Sequence, residues 1–288
     1  NRTEQNRTEQ NRTEQNRTEQ NRTEQNRTEQ NRTEQNRTEL INGYIIHVKN
    51  AYEREKHISG QIKNLPFNFE FVLDGDKDEI TPEILDKYFK EGMFELTWQG
   101  GIGAVSCTYK HFLALRDMIK NNVEFGIVFE NDVFLDKNFA NAVYKALDEI
   151  KERKISNFYL SLEDSFLIFV KGSVRKKGQT VYRVYEHEYR KSHPYLISRA
   201  AGAYIVDLQA AKNIINEVDT NKCSRVSDWF FTYCASEKII DLYYLHPTIA
   251  SQGTHNGMLK SMFPNGKRRG RISYLLQKKY KQFLWRMR

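Results

Sequence analysis

The sequence predicts an α/β protein whose central sheet is mostly parallel. The uncharged run FGIVF at residues 125–129 is short, β-branched and aromatic, which fits a strand buried on both faces better than a helix. An early strand at 43–49 followed by a helix suits the start of a nucleotide-binding sheet. Acidic clusters follow two of the predicted strands, and the ligand crevice of an open α/β sheet lies outside the carboxyl ends of its strands.

The chain divides into three parts. Residues 1–39 are seven copies of NRTEQ and a truncated eighth, and because they carry no apolar side chain we expect them to be disordered. The tail, residues 260–288, holds ten Lys or Arg and no Asp or Glu. The repeat is neutral and the whole chain is +8, which leaves −2 for the body at 40–259. The basic character therefore belongs to the tail, and the body is long enough for a sizeable core.

The pentapeptide repeat has a simple origin in the genetic code. Three copies of the five-base unit AACAG read AAC AGA ACA GAA CAG, which encodes Asn-Arg-Thr-Glu-Gln. Gain or loss of one unit would shift the reading frame. We therefore interpret the tract as a slippage-prone switch that turns expression on and off.

The cysteines and the hydropathy limit the class of protein. Cys107, Cys223 and Cys234 are odd in number and have no CxxC spacing. We expect neither a disulfide framework nor a structural zinc site, and a reducing cytoplasm is the natural compartment. No apolar run approaches the roughly 18 residues needed to cross a bilayer.

The first half of the body is predicted to alternate between strands and helices. Arg54 lies near the start of the first helix, where it would either meet a phosphate or remain solvated. A strand at 69–73 ends in the turn signal Asp74-Gly75-Asp76, and a helix runs from Thr81 to about Lys90 with proline at its first position.

A longer helix is predicted at 104–121, after glycines that do not match the GxGxxG dinucleotide-binding pattern. Helical spacing places four residues on one face: Cys107, His111, Leu115 and Met118. A histidine on such a face is more often a core or supporting residue than a ligand.

Glu130-Asn131-Asp132 follows the strand at 125–129. Two carboxylates with an amide between them suit a hard divalent cation that also holds substrate phosphates. The alternative is an ordinary turn, in which Asn and Asp are common. A helix at 138–154 and a strand at 157–162 come next, and Glu163-Asp164 is a second acidic pair at a strand end, in a crevice or in an exposed turn.

The second half of the body continues the pattern. A basic turn at 172–177 and a strand-like alternation at 180–189 precede a strand at 200–206 and a helix at 208–218. Asp228 then stands beside three aromatic residues. Apolar walls would raise its pKa toward the range of a general base. The alternative is the N-cap of a helix at 229–235.

The last part of the chain carries a strand at 242–247 and a glycine-flanked loop in which His255 suits a metal or phosphate contact. Residues 272–288 read as an amphipathic helix with cations and no acids. Such a helix is typical of the interface of an anionic membrane. Nucleic acid is the rival partner, but no nucleic-acid-binding motif accompanies the basic stretch.

Together these segments resemble glycosyltransferase family 25, the bacterial lipopolysaccharide and lipooligosaccharide transferases, from about Ile45 to the C-terminus. The opening strand YIIHVKN with Arg54 behind it is similar to the family's first strand and Arg-containing helix. GAVSCTYKH at 103–111 aligns with Gly-x-Ile-Gly-Cys-x-x-Ser-His, matching at the first glycine, the cysteine and the histidine. FEND at 129–132 falls on Leu-Glu-Asp-Asp, and VSDW at 226–229 resembles a Val-Asp segment. A basic tail is also similar.

The resemblance implies a single GT-A-like nucleotide-sugar-binding domain. It implies inverting transfer of a hexose, galactose or glucose, from a UDP-sugar to a lipooligosaccharide acceptor. The enzyme would lie peripherally on the cytoplasmic face of the inner membrane of a Gram-negative bacterium, with no nucleic-acid partner. The implied cofactor is Mn²⁺ or Mg²⁺. The residues that match the family place Asp132 at the metal, Arg54, Gly103, His111, Glu130 and Asn131 at the donor, and Asp228 as base. From their own positions in the chain, we add His255 as a second metal ligand and Glu163 and Asp164 as substitute bases.

Three residues depart from the family pattern. Asn131 replaces an acidic residue, Ser106 a glycine and Lys110 a serine. A weaker metal site or a shifted donor preference would follow. Two other functions stay open on the sequence: a non-catalytic membrane- or nucleic-acid-associated binding module with a degenerate metal site, and a metal-dependent phosphoryl-transfer enzyme.

Overall fold

The computed structural model of the protein describes residues 41–92, 101–164, 177–184, 200–260, 262 and 270–287. The repeat predicted to be disordered, nearly all of the basic turn at 172–177 and the second half of the run at 180–189 lie outside these residues.

Seven α-helices and nine strands occupy the described part of the chain. The helices are α1 (Tyr52–Ile62), α2 (Pro82–Tyr88), α3 (Ile102–Lys120), α4 (Phe139–Glu152), α5 (Leu208–Asn221), α6 (Ser227–Ser236) and α7 (Arg271–Arg286). The strands are β1 (Ile41–Ile46), β2 (Asn68–Val72), β3 (Phe125–Glu130), β4 (Val133–Leu135), β5 (Phe158–Ser161), β6 (Val181–Arg183), β7 (Ala203–Asp207), β8 (Asp241–Leu245) and β9 (Ala250–Gln252).

Seven strands form one sheet in the order β2-β1-β3-β7-β5-β8-β6. β1 pairs in parallel with β2 and β3, and β5 pairs in parallel with β8. β7 is antiparallel to β3 and β5, and β6 is antiparallel to β8. Five of the seven strands thus point in one direction, which confirms the predicted α/β class with a mostly parallel sheet.

The central strand β3 is buried on both faces, as its composition predicts. Every residue from Phe125 to Phe129 is buried. Gly126 admits α3 closely, because a Cβ at this position would lie 2.8 Å from the sulfur of Met118. The face of α3 that carries Leu115 and Met118 therefore packs on the sheet, as its spacing predicts.

Two apolar layers cover the sheet, one on each face. Side chains alternate between the layers along each strand, so that Tyr44 and Ile45 of β1 lie in different cores. The first core contains residues of α3, α5 and α6, and the second contains residues of α1 and α4. Both layers leave the carboxyl ends of β1, β3 and β5 to the polar residues that follow them.

A small antiparallel ribbon was not predicted. β4 pairs with β9, from Val133 opposite Gln252 to Leu135 opposite Ala250. Each strand has only three residues, too few for alternation to be recognised in the sequence. The ribbon brings the loop after β9 against the acidic cluster after β3.

The N-cap alternative for Asp228 is wrong. α6 begins at Ser227, and its N-cap is Val226. α6 thus starts two residues earlier than predicted, and the backbone N–H of Ser227 donates to the hydroxyl of Thr108 on α3, at 3.0 Å. Asp228 therefore lies within the first turn of the helix.

The tail helix is present as α7, and it packs on the body through Tyr274, whose side chain is buried. Among the described side chains of α7, Ile272, Leu275, Leu276 and Phe283 are exposed. In the part of the chain that the structure describes, no helix has both the length and the apolar character that a bilayer span requires.

Candidate active site

The site lies where the direction of the sheet connections reverses. β1 leads through α1 to β2 on one side, and the next sheet strand in the chain, β3, pairs with the other side of β1. Ligands of open α/β sheets bind at such a switch point. His47 follows β1 and Asn131 follows β3, and their side chains are 3.1 Å apart (Asn131 Nδ2 to His47 Nδ1). The buried Asn131 amide therefore links the two strand ends.

Asp132 is buried and only partly neutralised. Its Oδ2 accepts hydrogen bonds from the Thr254 backbone N–H at 3.1 Å and from the Thr254 hydroxyl at 2.8 Å. Arg54 Nη1 lies 3.6 Å from the same oxygen. Oδ1 is buried and has no hydrogen-bond partner among the described residues. Burial, followed by the charge of Glu130, raises the pKa of Asp132, although Thr254 and Arg54 oppose the change.

Glu130 stands at the end of β3 with 27% of its side chain exposed. Its Oε1 lies 3.8 Å from the sulfur of Cys107 and 3.7 Å from Nε2 of His111. Its Oε2 accepts a hydrogen bond from Gln252 Nε2 at 3.4 Å. The carboxylate thus reaches both α3 and the β4–β9 ribbon.

Glu163 follows β5 and is fully buried beside Gly202. The Gly202 backbone N–H donates to Glu163 Oε1 at 2.8 Å. The Gly202 carbonyl accepts a hydrogen bond from the Glu130 backbone N–H at 2.8 Å. A Cβ at residue 202 would lie 2.1 Å from Gln252 Nε2, so the position requires glycine. Burial, then the charges of Glu130 and Asp164, raise the pKa of Glu163 well above its ordinary value.

Asp164 is engaged by the tail. The Tyr274 hydroxyl donates to its Oδ2, and Lys278 Nζ donates to the same oxygen at 3.1 Å. These two bonds hold α7 against the carboxyl end of β5. The exposed-turn alternative for Glu163-Asp164 is wrong, because both side chains are buried.

Asp228 is a partly buried carboxylate in the first turn of α6. One of its oxygens accepts the backbone N–H of Trp229 at 2.9 Å. Burial raises the pKa of Asp228 to about 7, and the charge of Glu130 acts in the same direction. The predicted pKa rise is therefore present, and its cause is the predicted one, desolvation.

A sequence match decides the family. Residues 40–228 match the model of glycosyltransferase family 25, whose description reads LPS biosynthesis protein. This region is more than half of the 288-residue chain. The chain belongs to glycosyltransferase family 25.

Relatives of this family 25 protein occur in Haemophilus influenzae. It is 25% identical over 182 residues to the lipooligosaccharide biosynthesis protein lic2B, and the aligned region covers 59% of this chain and 61% of lic2B. It is 22% identical over 276 residues to the lipooligosaccharide biosynthesis protein lex-1 of strain ATCC 51907, and the aligned region covers 86% of this chain and 89% of lex-1. The chain therefore spans only 61% of the length of lic2B. It spans the same share of another relative, from the strain that carries lex-1.

Solved structures share only a distant likeness with the family 25 chain. A glycosyltransferase involved in the glycosylation of the major capsid of PBCV-1 has 10% sequence identity and a TM-score of 0.34, covering 83% of this chain and 98% of its own.

The donors at the strand ends of the family 25 chain fit a divalent cation. Three carboxylates, Asp132, Glu163 and Asp228, have raised pKa values, and the charge of Glu130 contributes to each. Arg54 is the nearby cation, and its other nitrogen, Nη2, donates to the carbonyl of Lys260 at 2.5 Å. Oδ1 of Asp132, which has no partner in the described ranges, is an oxygen ligand of the kind that Mn²⁺ and Mg²⁺ prefer.

The other predicted site residues lie on α3 and in the loop after β9. Gly103 is in the first turn of α3, after Gly101, whose φ of 57° favours glycine. His111 is buried on α3 and close to Glu130. His255 lies in the loop after β9, next to Thr254 but outside the group of metal-capable side chains formed by Cys107, His111 and Glu130 among the described residues.

Several site residues were not predicted from the sequence. His47, Thr254 and Gln252 contact the acidic cluster, yet none belongs to an acidic pair. His47 follows the first strand directly, and position at a strand end is a signal that would have identified it. The contacts of Thr254 and Gln252 depend on the β4–β9 ribbon.

Proposed function

We propose that the protein is an inverting glycosyltransferase that moves a hexose from a UDP-sugar to a lipooligosaccharide acceptor. The observation that supports this most is the crowding of carboxylates at the switch point of the sheet. One buried oxygen of Asp132 has no hydrogen-bond partner there among the described residues. Membership of family 25 and the names of the H. influenzae relatives support the acceptor class.

The donor diphosphate would bind at the ends of β1 and β3. Asp132, with Glu130 beside it, would hold Mn²⁺ or Mg²⁺, and such an ion neutralises the negative charge of a leaving diphosphate. Thr254 fixes the Asp132 carboxylate so that Oδ1 stays available. Arg54 adds positive charge on the same side of the cleft, 3.6 Å from Asp132.

Asp228 is our candidate for the general base. Its carboxylate would take the proton of the acceptor hydroxyl as that oxygen bonds to the anomeric carbon and the bond from carbon to the diphosphate oxygen breaks. A pKa of about 7 is matched to proton transfer at neutral pH. Glu163, buried and bonded to Gly202, and Asp164, bonded to α7, are less accessible substitutes.

The tail would hold the enzyme at its lipid-linked acceptor. Ile272, Leu276 and Phe283 expose 76%, 65% and 58% of their surfaces on a helix rich in cations. Apolar and cationic side chains together favour the interface of an anionic bilayer. The NRTEQ tract would then act upstream of catalysis, by switching expression of the surface glycan.

The test is a screen of UDP-sugars against truncated lipooligosaccharide acceptors, with Mn²⁺, with Mg²⁺ and with chelator. We expect one UDP-hexose to give acceptor-dependent release of UDP and a product of inverted anomeric configuration. Folded protein that transfers no sugar from any UDP-sugar would overturn the proposal. Turnover of free nucleotides without sugar transfer would instead favour phosphoryl transfer.

A further inference from the structure

A cysteine, a histidine and a carboxylate meet between α3 and the end of β3. Cys107 and His111 are four residues apart on α3 and so share one helix face. Glu130 reaches them from the end of β3. Its Oε1 lies 3.8 Å from the Cys107 sulfur and 3.7 Å from His111 Nε2, and the three candidate ligand atoms all lie within 4.8 Å of one another.

His111 is oriented toward this point from behind. Its Nδ1 is 3.0 Å from the Tyr204 hydroxyl, which fixes the ring. Its Nε2 is buried and has no hydrogen-bond partner in the described part of the molecule. A metal-binding histidine commonly has its second nitrogen held in this way. The distance from His111 Nε2 to Glu130 Oε1, 3.7 Å, is too long for a hydrogen bond. It leaves room for one metal ion that binds both atoms.

Cys107 supplies the third group, a sulfur. It is a free cysteine and is partly exposed on α3. A metal ion deprotonates a thiol that coordinates it.

We infer that Cys107, His111 and Glu130 form a site for a transition-metal ion of the Zn²⁺ class. A tetrahedral zinc centre with ordinary bond lengths separates its sulfur, nitrogen and oxygen ligands by about 3.4 to 3.6 Å. Glu130 Oε1 lies 3.7 Å from His111 Nε2 and 3.8 Å from the Cys107 sulfur, so these two separations need only a small contraction. Thiolate and imidazole ligands select Zn²⁺ or Co²⁺ over Mg²⁺.

The site has the layout of a catalytic centre rather than a structural one. It has three candidate protein ligands, the number that a catalytic zinc centre uses, and one of them, Glu130, is partly exposed. It shares Glu130 with the proposed hard-cation position at Asp132, but it differs from that position in having sulfur and nitrogen ligands. The inference goes beyond the proposed transfer reaction and does not depend on it.

Co²⁺ titration of the full-length, chelator-treated protein tests the site. We expect one equivalent of Co²⁺ to give a near-ultraviolet thiolate-to-cobalt charge-transfer band, which Zn²⁺ abolishes by displacement. Cys107→Ala should remove the band. His111→Gln should weaken Co²⁺ binding by more than about 100-fold, because even changes outside the ligand shell cost roughly 10- to 100-fold. Cys234→Ala, a buried cysteine on α6, is the matched control and should keep the band.

A measurement on the unaltered chain covers the case in which a variant fails to fold. Zn²⁺ should slow alkylation of Cys107 but not of Cys223 or Cys234, as mapped by mass spectrometry. Absence of the charge-transfer band in the wild type, or equal alkylation of Cys107 with and without Zn²⁺, overturns the inference. Sugar transfer supported by Mn²⁺ in the same preparation would show that the proposed function stands even then.

Discussion

Tyr274 and Asp164 join the C-terminal helix to the sheet at the carboxyl end of β5. The phenol donates to Asp164 Oδ2, and Lys278 donates to the same oxygen at 3.1 Å. Burial, and then the charge of Asp164, raise the pKa of Tyr274, so the phenol stays protonated as a donor. The segment that is basic in sequence is therefore attached to the body by a carboxylate that belongs to the cleft edge.

Removal of the Tyr274 hydroxyl should weaken the attachment of α7 to the body and leave the helix amphipathic. Tyr274→Phe leaves a buried carboxylate with one donor fewer, and we expect a loss of about 1 to 3 kcal/mol in unfolding free energy. In limited digestion, trypsin should cleave within α7 sooner in this variant than in the wild type. Tyr280→Phe, on the exposed side of the same helix, should change neither measurement. Equal digestion of both variants would contradict the role of Tyr274.

The exposed apolar side of α7 should determine vesicle binding. The double change Leu276→Ser and Phe283→Ser removes two side chains that are 65% and 58% exposed. We expect co-sedimentation with vesicles rich in anionic lipid to fall at least about tenfold, because each lost side chain gives up roughly 1.5 to 3 kcal/mol of apolar transfer. Transfer to a water-soluble acceptor should be unchanged. Undiminished sedimentation would assign binding to another surface.

Asp228→Asn should abolish most turnover while UDP binding persists. Loss of a general base typically costs about 100- to 10,000-fold in rate. In the wild type the base must be ionised, so kcat should rise with pH through about 7 and then level off. The variant should lack this rise. Glu237→Gln at the exposed end of α6 is the control, and an unchanged pH profile in Asp228→Asn would remove the assignment.

The asparagine variant should also affect stability, with a definite sign. The pKa of Asp228 is raised on folding, so the native state holds its proton more tightly than the unfolded chain does. Stability therefore falls as pH rises between the unfolded pKa near 4 and the folded pKa near 7. Asp228→Asn should be the more stable protein at pH 8, by at most about 4 kcal/mol. Urea unfolding at pH 5 and pH 8 measures the difference.

Local sequence chemistry predicted the sheet strands and the acidic strand ends. Phe125–Phe129 was predictable because a doubly buried strand needs a continuous apolar run. The hydrogen-bond partner of Asp132 was not predictable, because Thr254 is more than a hundred residues away in the sequence. The pairing of the three-residue strands β4 and β9 brings it to Asp132. Likewise, Asp228 matches an N-cap signal, but the Thr108 hydroxyl on another helix decides where α6 begins.

Two departures from the family motif lie in one local network. Lys110 is buried on α3, and its Nζ contacts Asp76 Oδ1 at 2.9 Å and the Leu73 carbonyl at 2.6 Å. The Ser106 hydroxyl donates to the Gly75 carbonyl at 2.7 Å. Gly75 has a φ of 85°, and a Cβ there would lie 2.7 Å from the ring of Tyr109. Both changed residues thus hold the turn after β2 against α3.

The pair Lys110 and Asp76 should show strong coupling. Lys110→Ser restores the family residue but leaves a carboxylate without its main partner, and we expect a loss of roughly 3 kcal/mol in unfolding free energy. Adding Asp76→Ser should recover part of that loss. The control cycle uses the exposed pair Lys222 and Asp86, at 3.3 Å, whose coupling should stay below about 1 kcal/mol. Additive effects in the Lys110 cycle would contradict the network.

Asp132→Asn should separate metal binding from folding. The change removes a charge that burial and Glu130 already disfavour, so the chelator-treated variant should be as stable as the wild type or more stable at pH 7.5. It also removes the anionic oxygen proposed to hold Mn²⁺. In the wild type, Mn²⁺ at 100 times its dissociation constant should add about 2.7 kcal/mol, and a chain of this size gains roughly 2 to 4 °C in melting temperature per kcal/mol.

The Asn variant should lose this melting shift together with sugar transfer. Asp136→Asn, an exposed acid in the turn after β4, is the matched control and should keep both. Thermal melts with Mn²⁺ and with chelator, run beside the transfer assay, give the comparison. A variant that keeps full Mn²⁺-dependent transfer would exclude Asp132 as the hard-cation ligand. Loss of transfer with an intact Mn²⁺ shift would place the ion on other residues.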